Sequence, residues 1–443
     1  TFMAMEYIIN GVLLFNEPGV FMTFEEKEEE LLTNVSNLGY DVSKLIAENK
    51  IFLEHLSIGP HIINETGTYN IEGLFERIEL AIERVKAKRV VLDSLDTLFA
   101  SLDKQILRSE FKKLFTWLKE KKVTAIITAV LGDVFLTRMG LEELVADCVV
   151  ELNNRVSNQI TTRRLRILKY RGSHHAANEY PFIIDENKMT VFPIISQGLQ
   201  QEASAERISS GNKQLDEMLS NKGFYKGSSI LISGTAGTGK TSLTASFINS
   251  ACNSKMSCLF CAFEEAPSQI VRNMKSIGIA LDQHVEAKTL TFYYARPTLQ
   301  NLELHFMAIK DIINQIKPAV IILDPITNLT TEGLVSDRDM LTRFIDYLKT
   351  MQITVILNAA ITVGSIARNP SDEGILAMVD TWILIKDTEL QNVQNHSLYV
   401  MKSRGMQHAK EARELVLSDQ GITLIPLTKT DKALHIAPIR TSL

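Results

Sequence analysis

Short apolar runs rich in β-branched residues alternate with amphipathic stretches along most of the chain. In the first part they fall at 19–24, 89–93, 123–128 and 147–152, and in the later part at 228–233, 257–263, 319–324, 353–358 and 379–385. Continuous apolar runs of this length predict strands buried on both faces. Between them, 74–86, 105–121, 241–252, 302–316 and 338–350 keep the three-and-four spacing of helices packed on one side. Strands separated by helices predict an α/β fold with a mostly parallel sheet. Segments 163–184 and 397–418 alternate and carry turn residues, which predicts added antiparallel strands.

The pattern occurs twice. Thr1–Gly11 reads like Thr241–Ala251, and Thr23-Phe24-Glu25-Glu26 like Ala262-Phe263-Glu264-Glu265. Val90-Val91-Leu92-Asp93 matches Ile321-Ile322-Leu323-Asp324, and Lys169-Tyr170-Arg171-Gly172 matches Lys402-Ser403-Arg404-Gly405. The four landmarks keep their order at a spacing of about 235 residues, far beyond a solenoid unit. They predict two homologous domains, 1–195 and 208–443. The polar, aperiodic stretch 196–207 joins them as a linker.

Composition narrows the function classes. The 443 residues are 45% apolar and 22% charged, which fits globular domains rather than disorder. A net charge of −5 argues against a generally basic nucleic-acid binder. No stretch approaches a membrane span, no signal-peptide pattern opens the chain, and four cysteines are too few for a disulfide framework, so a cytoplasmic setting is expected.

The sharpest chemical signal is Gly234-Thr235-Ala236-Gly237-Thr238-Gly239-Lys240-Thr241, after an apolar strand and before a helical run. This is G-x-x-x-x-G-K-[ST] in strand–loop–helix context. Its glycines let backbone N–H groups surround anionic oxygens at a helix N-terminus. Lys240 supplies a point charge for the terminal phosphates of ATP, and the Thr241 hydroxyl a hard ligand for Mg²⁺. Asp324 ends an apolar strand, where a carboxylate faces the ligand crevice of a parallel sheet. Glu264 and Glu265 follow another strand, with their duplicates Glu25 and Glu26. One acid of each pair is placed to polarise an attacking water, and Glu264 is a further candidate for the metal. Lys402 and Arg404, like Lys169 and Arg171, share one strand face and are suited to neutralising phosphate charge. The spacing alone leaves open whether they act within a subunit or across a boundary.

Together these residues resemble the KaiC family of tandem RecA-like P-loop ATPases over nearly the whole chain. Asn16-Glu17-Pro18-Gly19-Val20-Phe21, Glu179-Tyr180-Pro181-Phe182 and Arg207-Ile208-Ser209-Ser210-Gly211 before Leu215-Asp216 extend the likeness. The resemblance implies a hexameric double ring with ATP between neighbouring subunits, and ATP hydrolysis in the first ring. In true clock proteins it also implies autophosphorylation in the second ring. Lys240, Thr241, Glu264, Glu265 and Asp324 then serve the second site, with Lys402, Arg404 and His408 given to the neighbour's ATP. In the first unit Thr1, Glu25, Glu26 and Asp93 correspond, with Lys169, Arg171 and His174 acting in trans. A regulatory partner like KaiB is a further expectation.

Four departures stand out. Leu376 and Ala377 occupy the places of the acceptor Ser-Thr pair, so autophosphorylation there is chemically excluded, leaving Ser371 and Thr381 as nearby hydroxyls. Pro325 follows Asp324 where the family often has Ser, and the segment beyond Gly421 is short for a docking tail. The first half has no phosphate loop of its own. Thr1 stands where the Thr after the loop lysine belongs, so a preceding strand and loop are expected.

Two other functions compete: a RecA-like DNA-dependent ATPase of the recombinase or helicase kind, and an autokinase using another hydroxyl. Cys258 and Cys261 fit C-x-x-C but point to opposite strand faces, and no second pair completes a metal site. The remaining cysteines, Trp117 and Trp382 read as core, and His174-His175 as an interface element.

Overall fold

The computed structural model describes residues 1–36, 39–56, 72–94, 104–132, 145–157, 160–184, 188–191, 204–296, 302–329, 335–360, 376–390 and 393–427. Two compact units emerge, Thr1–Phe192 and Pro193–Leu443. The predicted linker lies outside the described residues up to 203, and its last residue, Arg207, is already in a strand.

In the first unit, helix α1 (Phe2–Phe15) precedes β1 (Gly19–Thr23) and β2 (Ile51–His55). Helix α2 (Glu72–Val85), β3 (Arg89–Asp93), α3 (Lys104–Glu120) and β4 (Thr124–Ile127) follow. These strands form a parallel sheet in the order β2-β1-β3-β4. Strands β5 (Cys148–Ser157), β6 (Ile160–Tyr170), β7 (Glu179–Ile184) and β8 (Met189–Val191) make a separate antiparallel sheet.

The second unit opens with β9 (Arg207–Ile208), which pairs with β10 (Phe224–Tyr225). Its main elements are β11 (Ser229–Gly234), α4 (Lys240–Asn253), β12 (Cys258–Ala262), β13 (Leu290–Tyr294), α5 (Leu302–Ile316), β14 (Val320–Asp324), α6 (Val335–Thr350) and β15 (Thr354–Ala360). Strands β16 (Thr381–Leu390), β17 (Val393–Ser403), β18 (Arg413–Ser418) and β19 (Gly421–Pro426) complete it. All lie in one nine-stranded sheet, β13-β12-β14-β15-β11-β16-β17-β18-β19. It is parallel as far as β16 and antiparallel beyond.

The duplication extends to individual hydrogen bonds. Phe24 N–H donates to Asp93 O at 2.8 Å, as Phe263 N–H does to Asp324 O at 2.8 Å. Thr124 N–H reaches Lys88 O at 2.9 Å, as Thr354 N–H reaches Ala319 O at 2.9 Å. The β5–β6 register slips between Val149 and Val150, and the β16–β17 register between Trp382 and Ile383. The units differ at the sheet centre. In the second, β11 lies between β15 and β16, whereas in the first β4 and β5 belong to different sheets among the described residues.

Burial follows the apolar pattern only in part, since β4 and β5, which apolar runs also announced as buried strands, are half-buried or exposed. Strands β1, β11 and β12 are buried along their whole length. The outer strands β2 and β13 are half-buried, and their mixed sequences gave no expected strand. Helices α5 and α6 meet through Phe306 and Phe344, both fully buried and stacked with centroids 4.1 Å apart. Trp117 stacks on Phe75 at 5.2 Å beside the first unit's core. Trp382 is half-buried and donates its indole N–H to Ser233 Oγ at 2.7 Å.

Truncating Phe344 removes a ring that no neighbour can replace without moving a helix. Phe344→Ala is expected to destabilise the second unit by about 3–5 kcal/mol in chemical denaturation. A loss below about 1 kcal/mol would mean the α5–α6 contact is not part of its core.

Candidate nucleotide site

Strand β11 delivers Gly234 to the carboxyl end of the parallel sheet, between β15 and β16. The chain can turn there only without a side chain. A Cβ on Gly234 would lie 2.6 Å from Ile385 O and 2.8 Å from Thr238 Oγ1. Gly237 and Gly239 take φ of +84° and +87°, a region open to glycine at little cost. Helix α4 then starts at Lys240, so the free N–H groups of its first turn lie next to the loop.

Lys240 Nζ donates to the carbonyl oxygens of Gly234 at 2.9 Å and Thr235 at 2.7 Å, leaving one of three ammonium protons for another acceptor. Burial lowers the Lys240 pKa, while Asp324, Glu264 and Asp387 oppose the shift. Thr238 Oγ1 donates to Thr235 O at 2.9 Å and tightens the turn. Ala236 is the exposed crest of the loop.

Thr241 Oγ1 donates to Asp324 Oδ2 at 2.8 Å. Burial pushes the Asp324 carboxyl above the usual carboxylate range, and Glu265 adds to this, while Asn358, Thr241 and Lys240 pull it down. Asn358 comes from the end of β15, where its Oδ1 accepts from Thr244 Oγ1 at 3.0 Å. Its buried Nδ2 faces Asp324 without a hydrogen bond of ordinary geometry. The Phe263–Asp324 backbone bond sets the Glu264-Glu265 turn beside Asp324. Glu265 Oε2 accepts from Asn273 Nδ2 at 3.2 Å, and Glu264 is exposed.

The first unit repeats the acidic side of this arrangement. Asp93 accepts a short hydrogen bond from Thr128 Oγ1 and lies 3.6 Å from the Thr1 amino group. Glu25 Oε1 accepts from Ser94 Oγ at 3.0 Å, a bond that Pro325 cannot supply at the equivalent place. One carboxylate oxygen of Glu26 is buried without a hydrogen-bond partner.

The late cations do not join the loop of their own unit. Lys402 pairs in register with Trp382, and Trp382 with Leu231. Leu231 is three residues before Gly234, so Lys402 is set back from the loop by about 10 Å along the sheet. Its Nζ instead donates to Leu376 O at 2.8 Å and Val379 O at 2.9 Å, and Arg404 donates to Ala377 O at 2.8 Å. His408 follows Gly405, where Ala409 N–H bonds Met218 O at 2.8 Å. Lys169 pairs with Val149 at the matching place in the first unit, Arg171 follows it, and His174 is exposed in the loop beyond Gly172.

Two groups at the loop escaped sequence reasoning. Thr235 Oγ1 donates to Asp387 Oδ2 at 2.6 Å, and Asp387 Oδ1 contacts His396 Nδ1 at 2.8 Å. Thr128, just after β4, and Asn358, within β15, both face the strand-end aspartate of their units, a repeat at about the spacing of the landmarks. Among the described residues, no group of three His, Cys, Asp or Glu side chains gathers as a metal cage. A hydroxyl and a carboxylate beside an anion-binding loop fit Mg²⁺ instead, which takes few protein oxygens and fills its shell with water and phosphate.

The family model described as ATPase: KaiC matches residues 1–196 and 208–429. The circadian clock protein KaiC2 of Synechocystis sp. is 42% identical over 96% of this chain and 75% of its own length. The circadian clock oscillator protein KaiC of Synechococcus elongatus is 34% identical over 95% and 82%. That of Parathermosynechococcus lividus is 34% identical over 96% and 79%. With a phosphate-binding loop in an α/β unit and a family match to each half, the chain belongs to the KaiC family of ATPases, with its RecA-like domain in tandem.

Proposed function

We propose that the protein binds Mg²⁺–ATP at subunit seams of a homohexameric double ring and hydrolyses it. The observation that carries this reading is the convergence of Lys240, Thr241 and Asp324 on one loop at the end of β11. Lys240 and the loop N–H groups hold the phosphates, and Thr241 and Asp324 hold the metal, with Glu264 beside them. When bound, Mg²⁺ neutralises charge on the phosphate oxygens. Glu264 or Glu265 takes the proton of the attacking water, as Glu25 or Glu26 does in the first unit, where Thr1 and Asp93 face the metal.

The trans reading of Lys402 and Arg404 draws support from the strand register, which sets them back from the loop they would otherwise serve. Lys169 and Arg171 occupy the same register in the first unit. His408 and His174 join them at the seam. Autophosphorylation at Leu376 and Ala377 has no acceptor oxygen. Thr381 is a poor substitute, since it is buried and its hydroxyl is bonded to Ser403 Oγ at 3.0 Å, and Ser371 is outside the described residues. The ring would report its nucleotide state to a regulatory protein of the KaiB kind. No helix among the described residues is long and apolar enough to cross a membrane.

Lys240→Ala is expected to weaken ATP binding at the second site by about 10- to 100-fold, as loss of a charged hydrogen-bond partner implies. Titration with a fluorescent ATP analogue checks this, and unchanged affinity would refute the loop assignment. Replacing Glu25, Glu26, Glu264 and Glu265 together by Gln is expected to cut ADP release about 100-fold or more while leaving assembly intact, because an amide cannot accept the water proton. Normal turnover in that variant would remove the acids from the mechanism. A salt-sensitive shift of single-stranded DNA would instead favour the DNA-dependent ATPase.

A further inference from the structure

Both units carry one feature that the nucleotide chemistry leaves unexplained. In the second, Asp380 immediately precedes β16, and Lys349, in the last turn of α6, grips it at 2.8 Å. Arg404 Nη1 lies 3.9 Å from the same carboxylate, and Arg404 N–H bonds Asp380 O at 2.8 Å. In the first, Asp147 immediately precedes β5, and Lys119, in the last turn of α3, holds it at 2.7 Å. Arg171 Nη1 lies 3.6 Å away, and Arg171 N–H bonds Asp147 O at 2.8 Å. Lys402 and Lys169 stand close enough to feel the respective carboxylates. Each cluster thus sets three cations around one acid, at matching places in two units whose sequences otherwise differ widely.

The electrostatics give this arrangement a purpose. Three like charges on a half-exposed sheet end repel one another and would splay. Burial and the neighbouring arginine lower the pKa of Lys402, as they do that of Lys169, whereas each aspartate pulls the other way. One carboxylate, anchored by a lysine on a helix, holds an arginine from the neighbouring strand without cancelling the cluster's positive excess. That excess is what a phosphate arriving from outside the unit would meet.

We propose that Asp380 and Asp147 are positioning residues, shared counterions that hold Arg404 with Lys402, and Arg171 with Lys169, in the pose in which they serve the neighbouring subunit's nucleotide. The inference rests on the trans reading given under Proposed function. A competing role is structural and internal to the unit. Asp380 Oδ2 also accepts from Ser229 N–H at 2.9 Å and Ser229 Oγ at 3.0 Å, and so could brace β11 and its own phosphate loop. The two roles make opposite predictions in mixed rings.

The test uses full-length protein in a Glu25→Gln, Glu26→Gln background, so that turnover reports the second unit. Asp380→Asn alone is expected to keep its ATP affinity and to lose roughly 10- to 100-fold in turnover, the cost of a misplaced catalytic group. Mixed one to one with Lys240→Ala subunits, it should recover about a quarter of the unsubstituted rate, since one seam in four then pairs an intact loop with an intact cation cluster. Arg404→Ala mixed with Lys240→Ala is the control. If the control recovers activity and the Asp380→Asn mixture does not, the positioning role is overturned and the brace on β11 stands. If neither recovers, the trans reading itself fails. Should Asp380→Asn not assemble, Asp380→Glu is mixed in the same way and judged by the same recovery.

Discussion

A carboxylate at the end of a buried strand is costly unless something compensates its charge, and Asp324 is where that constraint acts. Thr241 and Asn358 face it, Lys240 lies near it, and burial still raises its pKa. Its own carbonyl accepts the Phe263 N–H, which fixes where the chain leaves β12 and therefore where Glu264 and Glu265 stand. The loop, the Thr241 and Asp324 oxygens and the Glu264-Glu265 turn are thus positioned by the carboxyl ends of three adjacent strands, β12, β14 and β15, together with β11. In an open parallel sheet this is the edge where ligands bind.

The same constraint is met differently in the first unit. Asp93 draws on Thr128 rather than an asparagine, and Ser94 supplies Glu25 with a hydroxyl that Pro325 cannot offer Glu264. The backbone frame is shared down to individual hydrogen bonds, while the side chains that tune the acids have diverged. Two units of one fold thus differ in the groups that surround their strand-end acids without any change of backbone frame.

Much of this was legible in the sequence, because the informative features are local. The phosphate loop is contiguous, and β11, β12 and β14 are built around short apolar runs whose two faces are covered. Strands β2 and β13 were missed because sheet-edge strands are half-exposed and mix polar with apolar residues. The pairings of Asp387 with Thr235 and of Asp324 with Asn358 were hidden for another reason: each joins residues far apart in sequence through strand order. The place of Lys402 relative to the loop likewise depends on two successive registers, β11 with β16 and β16 with β17, which no spacing rule supplies.

The proposed activity depends on nucleotide held where two copies of the chain meet. Native mass spectrometry of the full-length protein, with and without ATP and Mg²⁺, weighs the assembly and its bound nucleotide together. The expected result is a hexamer that carries at least one adenine nucleotide per subunit when both are present. A single subunit without nucleotide at every magnesium concentration would contradict it.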